Sequence, residues 1–313
     1  MVRSKRAAAG LRSRLNIGET EIEDTFAEAF GMRYTRLIVT AHDQHWLAAA
    51  THEFTGYGSS VIACDAETGV ERWLAASETP DGRAGAAILV FGFSVDALTK
   101  AVPNRTGQCL MTCPTTAVFN GLTSAAERVA LGKHIRYFGD GWQKSKLLGG
   151  RRFWRVPVMD GEFVVEEWLG VGKGVAGGNL ILQASSLADA LDSARRAVDA
   201  VAALPGVITP FPGGIARSGS KVGSRYKKLL ASTADAYCPT LRANVSSQLH
   251  PAAACAYEVV IDGVDEAAVG RAMALAARAA AGRGVVRITA GNYGGKLGKF
   301  HFRLHDVLAK FGA

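Results

Sequence analysis

Hydrophobic positions along this chain follow two rhythms, short apolar runs of strand character and longer stretches at helical spacing, and their order repeats. In the C-terminal half, Asn179 to Ala184 reads as a strand, Ser186 to Leu204 as an amphipathic helix and Gly206 to Pro210 as a second strand, followed by PGGIARSGSKVG at 212–223. The order then recurs: Ala256 to Asp262, a helix over Asp265 to Ala281 with an acid at its cap, Gly284 to Ala290, and GNYGGKLGKF at 291–300. A β-α-β unit of this kind leaves its sheet half uncovered, so two units placing their helices on one face predict an α+β fold, a split β-α-β or ferredoxin-like sandwich.

A fainter version precedes it: Thr35 to Ala41, a helix through Trp46 to Phe54 and a strand at Ser60 to Cys64, then Ala86 to Phe93, Asp96 to Ala101 and a strand at Gly107 to Thr112. Between the halves, Arg152 to Val158 and Glu162 to Trp168 flank a turn at Met159, Asp160 and Gly161, which predicts a hairpin. The expected organisation is a basic flexible tail over 1–15, an N-terminal ferredoxin-like lobe over 16–160 and a C-terminal one over 161–313.

Composition narrows the class. With 313 residues, 48% of them hydrophobic and 20% charged, the chain has enough apolar side chain for two cores. No apolar run reaches the roughly 18 residues that cross a bilayer, and the basic N-terminus lacks the apolar stretch of a secretory signal. Five scattered cysteines, an odd number, favour free thiols and a cytoplasmic location. The net charge is +8, and Arg3, Lys5, Arg6, Arg12 and Arg14 crowd the first fourteen residues. No nucleic-acid-binding signature accompanies that charge, so a polyanionic small ligand suits it as well.

Several motifs resemble known chemistry in spelling only. Gly172, Gly174 and Gly177 match the dinucleotide fingerprint, but an apolar strand-like run follows where a helix should open, so a glycine-rich turn is the plainer expectation. GNYGGK lacks phosphate-loop spacing, and Leu297 stands where a magnesium-binding hydroxyl belongs. His42, His45 and His52 share a helix face without the HExxH pairing, and Cys109 and Cys113 lack a second pair, so no metal is expected. No G-x-S-x-G elbow is present.

One acid stands out. From Cys255 to Ile261 both faces of the strand are apolar except at Glu258. Such surroundings disfavour a charged carboxyl and make it a candidate proton donor; an edge-strand glutamate facing water or an arginine is the plainer alternative. The glycine-rich stretches GVAGGN (174–179), PFPGGI (210–215), SGSKVG (218–223) and GNYGGKLG (291–298) offer backbone N–H groups that could face a ligand, and GQCLMTCPTTAVF (107–119) and FGDGW (138–142) join tight turns to polar and aromatic groups.

These stretches, together with IEDTFAEAF (22–30), ETPDGR (78–83), SKVGS (220–224), DAYCPT (235–240) and YEVVI (257–261), resemble the formylmethanofuran:tetrahydromethanopterin formyltransferase family from about Ile22 to Leu308. The resemblance implies two ferredoxin-like lobes, a homotetramer with active sites near subunit contacts, and formyl transfer between methanofuran and N5 of tetrahydromethanopterin without a prosthetic group. It implies Glu258 as the catalytic acid. The expected substrate-binding residues are Gln108, Thr112, Thr115, Gly177, Gly178, Asn179, Phe211, Gly213, Gly214, Ser220, Lys221 and Lys296. Lys299 joins Lys221 and Lys296 as a candidate for coenzyme charges, since both coenzymes are anionic. A basic N-terminal extension and a less acidic composition resemble bacterial members, which implies a direction from formyl-tetrahydromethanopterin toward a methanofuran analogue and a formyl-hydrolysing partner complex. A noncatalytic scaffold subunit is the alternative; nucleic-acid binding and membrane association are not expected.

Overall fold

The computed structural model describes residues 15–312; the predicted basic tail therefore lies, but for Leu15, outside the described residues. Leu15–Ile17 (β1) and Thr20–Ile22 (β2) form a hairpin that leads into a long strand, Phe26–Thr40 (β3). There follow Gln44–Thr55 (α1), Glu67–Leu74 (β4), Gly85–Gly92 (β5), Val95–Arg105 (α2) and Ala117–Asn120 (β6). Glu127–Ala130 (β7), Gly132–Ile135 (α3), Lys144–Leu148 (β8), Arg151–Val158 (β9) and Gly161–Glu166 (β10) connect this unit to a second long strand, Trp168–Ala184 (β11). The second unit continues with Leu187–Ala202 (α4), Val207–Ile208 (β12), a small hairpin of Lys221–Val222 (β13) and Ala231–Ser232 (β14), Cys255–Gly263 (β15), Glu266–Ala280 (α5) and Val285–Thr289 (β16). Phe300–Arg303 (β17) and Leu304–Phe311 (α6) end it.

Both units have the same antiparallel order, β4-β5-β3-β6 and β12-β15-β11-β16, which is the second, third, first and fourth strand of a ferredoxin-like sheet. The protein is thus an α+β molecule of two ferredoxin-like lobes. The four long helices start alike: the side chains of Asp43, Ser94, Ser186 and Asp265 each accept a backbone N–H of the first turn, worth about 1 kcal/mol apiece.

The two sheets join through their first strands, since β3 pairs antiparallel with β11 from Phe30 to Tyr34. Each lobe also lends a strand: β2 pairs parallel with β16 of the C-terminal sheet, and β10 parallel with β6 of the N-terminal sheet. The hydrophobic cores follow this exchange. Ile22, Ala27 and Ala29 pack with α4, α5, β11 and β15, whereas Phe163, Val165, Leu169 and Val171 pack in the N-terminal core.

Three expectations need correction. Ser60 to Cys64 is a turn, because its Val61 amide is taken by the Glu67 side chain; the strand is Glu67–Leu74. Gly107 to Thr112 is helical: Pro103 removes a donor inside α2 and the chain continues as a wide turn over Thr106–Leu110, so the fourth strand begins at Ala117. The glycines at 172 and 174 lie in strand β11, where they admit the ring pair Tyr34 and Phe91 at the lobe crossing. A Cβ on Gly172 would stand 2.5 Å from the Tyr34 ring.

Candidate active site

Helices α4 and α5 cover one face of the C-terminal sheet; Val259 and Ile261 of β15 and Leu180 and Leu182 of β11 point into that core. The opposite side chains, Glu258 and Val260 on β15 and Asn179 and Ile181 on β11, line a cleft. β15 is an inner strand, flanked by β11 and by β12 with a bridge from Ala216, so Glu258 does not face water at a sheet edge. It is 5% exposed.

The 218–223 loop turns over this carboxyl. Ser220 donates its N–H to Glu258 Oε2 at 2.6 Å and its hydroxyl to Oε1 at 2.7 Å. Gly219 permits the approach: its φ is +72°, and a Cβ there would lie 2.4 Å from Ala234. Burial pushes the Glu258 carboxyl above the usual range, against the two bonds from Ser220, which favour its charged form. Removing the hydroxyl by Ser220→Ala is therefore expected to carry the alkaline limb of the rate–pH profile to higher pH. An unmoved limb would show that Ser220 does not tune this acid.

Beside Glu258 a cavity of about 240 Å³ includes Ser220, Lys221, Tyr237 and Tyr293 in its wall. Burial, with the charges of Glu23 and Glu258 adding, pushes Tyr237 up to about 12, so it remains a donor and bonds Gln248 Oε1 at 2.6 Å. A second cavity of about 320 Å³ adjoins it through Asn179, Ser220, Val222 and Tyr293. Its walls are mainly apolar, from Phe30, Met32, Val61, Ile62, Phe93 and Phe211, with carboxyls from Glu28 and Glu67. Two adjoining cavities meeting near one buried acid suit two flat, partly apolar ligands that must exchange a group.

The glycine loop at 291–298 does not offer its amides to the cleft as expected. The N–H groups of Tyr293, Gly295, Leu297 and Gly298 all donate to the Glu28 carboxylate, at 2.7, 2.8, 2.5 and 2.6 Å. Burial pushes Glu28 up, but these four bonds outweigh it and hold the carboxyl below its usual range. The loop thus folds around an anion the protein supplies, and presents the Tyr293 ring to both cavities.

Of the other expected binding residues, Gly177, Asn179, Phe211, Ser220 and Lys221 line these cavities. Asn179 ties the wall to the 291 loop, accepting from Gly291 N at 2.6 Å, and the Lys221 ammonium pairs with Asp235 at 2.7 Å. Gly178 faces the helices instead: a Cβ there would lie 2.4 Å from Val269. Gly213 and Gly214 form a left-handed turn beneath Phe211, with Gly214 against Val198. Lys296 is exposed and outside both cavities, as is Lys299. Gln108 borders a separate cavity with His134 and Phe138, Thr112 bonds the Gln108 carbonyl, and Thr115 accepts from His42 N and donates to Asp160. These three residues sit in the N-terminal lobe and do not meet Glu258 within one chain.

Among the described residues no three His, Cys, Asp or Glu side chains converge as a metal site; His42, His45 and His52 are exposed, and the five cysteines are unpaired. Among the described residues no helix is long and apolar enough to cross a membrane. Sequence reading missed Glu28, Glu67 and Asp262. Asp262 continues the alternation of Glu258 and Val260 by one step, and Glu28 alternates with Phe26, Phe30 and Met32.

A buried acid whose carboxyl is pushed upward by burial, on a ferredoxin-like sheet beside two adjoining cavities, is an arrangement suited to a group-transfer enzyme. The formylmethanofuran-tetrahydromethanopterin formyltransferase family matches residues 15–158, and the family's proximal lobe matches residues 161–307. A formylmethanofuran–tetrahydromethanopterin formyltransferase of Methylobacillus flagellatus is 50% identical over 300 residues, spanning 94% of this chain and 99% of that protein. Two solved structures superpose closely. The enzyme of Methanosarcina barkeri gives a TM-score of 0.88 at 43% identity, over 94% of this chain and 100% of that one. A chain of the Methylorubrum extorquens formyltransferase/hydrolase complex, solved with methylofuran, gives 0.90 at 47% identity, over 95% and 99%. The chain belongs to the formylmethanofuran–tetrahydromethanopterin formyltransferase family.

Proposed function

We propose that the protein moves a formyl group between N5 of tetrahydromethanopterin and the amine of methanofuran or an analogue, running from formyl-tetrahydromethanopterin toward the furan coenzyme in bacterial one-carbon oxidation. The observation that carries this reading is the Glu258 carboxyl, buried and held by Ser220 where the two cavities meet. The acceptor amine attacks the formyl carbon and forms a new C–N bond, and negative charge gathers on the formyl oxygen. The old C–N bond then breaks as the leaving nitrogen takes a proton and the acceptor nitrogen loses one. Protonated Glu258 donates a hydrogen bond to the developing oxyanion or gives its proton to the leaving nitrogen, a contribution of about 3 kcal/mol.

Gly177, Asn179, Phe211 and Ser220 hold the coenzymes in this reading. The lobes are assigned to 16–160 and 161–313, joined by the strand exchange. Gln108, Thr112 and Thr115, remote within one chain, serve a neighbouring subunit's site in a homotetramer, as the family resemblance suggests. A cytoplasmic location and association with formyl-hydrolysing subunits complete the assignment; the Methylorubrum chain comes from a formyltransferase/hydrolase complex.

Absorbance recorded on the purified chain with either coenzyme alone and with both tests the reading: turnover requires both. Release of formate from formyl-tetrahydromethanopterin without an acceptor would make it a hydrolase, and no reaction in any mixture would favour a scaffold. Because the coenzyme tails are anionic and the chain carries a net +8, raising salt is expected to raise KM with little change in kcat. A KM indifferent to salt would remove electrostatic capture.

A further inference from the structure

The Glu258 face of β15 continues to Asp262, which is 0% exposed and lies against Glu67 of β4, a residue of the opposite lobe. Each carboxyl holds one wall of the larger cavity: Asp262 Oδ1 accepts from Gly177 N at 2.9 Å, and Glu67 Oε1 accepts from Val61 N at 3.0 Å. The two carboxyls stand close enough across the lobe boundary to interact directly. Ionised together, neither could donate, and Asp262 Oδ2 would then be buried with no hydrogen-bond partner among the described residues. A single proton between them supplies the missing donor and removes the repulsion of two adjacent buried anions.

Nearby charges do not replace that proton. Glu28, which also lines the cavity, is taken up by four amides; Glu71 of β4 is paired with Arg36 and accepts from Gly206 N; and Asp265 caps α5. Among the described residues no lysine or arginine forms an ion pair with Glu67 or Asp262.

We propose that Glu67 and Asp262 share one proton and act as positioning residues, a clamp that holds the Gly177 and Val61 walls at the separation a bound coenzyme requires and lets them part when the proton is lost. Burial and the mutual charge push Asp262 upward, and burial pushes Glu67 upward. The sign follows: the clamp is closed at low pH and lost as pH rises through the raised value. The binding readout rests on the assignment of the larger cavity to a coenzyme; the shared proton does not.

Infrared titration of the full chain tests the proton. The difference between wild type and Asp262→Asn, which sets this pair apart from Glu258, should show a protonated carboxyl band that disappears as pH rises. Over the same pH range KM for one coenzyme should rise about tenfold in wild type and stay flat in Asp262→Asn, whose amide donates permanently. Glu67→Gln, with its carbonyl toward Val61 and its NH2 toward Asp262, should be equally flat and serves if Asp262→Asn does not fold. Absence of the band, or a KM–pH curve shared by wild type and either variant, would overturn the clamp. If no formyl transfer occurs at any pH, the functional reading fails instead. The band and the pH dependence of thermal melting then decide the clamp, since a melting curve no less stable at high pH in wild type relative to Asp262→Asn would overturn it.

Discussion

Replacing Glu258 with glutamine is expected to lower kcat for formyl transfer by about a hundredfold or more, because the amide can still donate a hydrogen bond but cannot give a proton to the leaving nitrogen. Glutamine preserves the shape and both contacts to Ser220, because its carbonyl accepts from the Ser220 N–H and its amide meets the hydroxyl. Melting temperature and KM should therefore change little, which separates a chemical role from a structural one. The wild-type rate should fall as pH rises through the raised value of Glu258, since only the protonated carboxyl donates. In Glu258→Gln that limb should vanish. An unchanged kcat would remove this carboxyl from the chemistry.

Removing the anion beneath the 291–298 loop should have the next largest effect. Glu28→Ala leaves four backbone N–H groups without their acceptor, and even with partial hydration the cost is expected to reach at least about 3 kcal/mol. Tyr293, which donates its hydroxyl to the Ser220 carbonyl at 2.8 Å, would lose its place, so activity should fall with stability. Glu28→Gln presents one carbonyl and should lie between. Because four amides hold Glu28 below its usual range, its contribution to stability is present above that range and lost as pH falls through the depressed value. Denaturant titrations at neutral and acid pH check this: the gap between wild type and Glu28→Gln should narrow in acid. A Glu28→Ala protein that melts like the wild type would show that the loop does not depend on this carboxylate.

The β-α-β repeats were legible because strand and helix periodicities are local, and the caps at Asp43, Ser94, Ser186 and Asp265 agree with them. Glu258 was legible as the polar exception on an apolar strand, and Asp262 becomes so once the same alternation is followed for one more step. The strand exchange was not legible, because which sheet β2 or β10 joins is decided by pairing between distant segments. The glycine run at 291–298 correctly announced an array of backbone donors. Its acceptor was hidden, since Glu28 and Tyr293 are 265 residues apart in the chain. At Ser60 to Cys64 the apolar spacing was that of a strand, but Val61 and Ile62 line a cavity instead of pairing.

Single-turnover mixing of the purified chain with 13C-formyl-tetrahydromethanopterin and methanofuran, followed by NMR, tests the central claim most directly. The label is expected to move from the pterin nitrogen to the furan-coenzyme amine without passing through free formate, and this movement to slow about a hundredfold or more in Glu258→Gln. Label appearing as formate, or moving equally fast in wild type and Glu258→Gln, would contradict it.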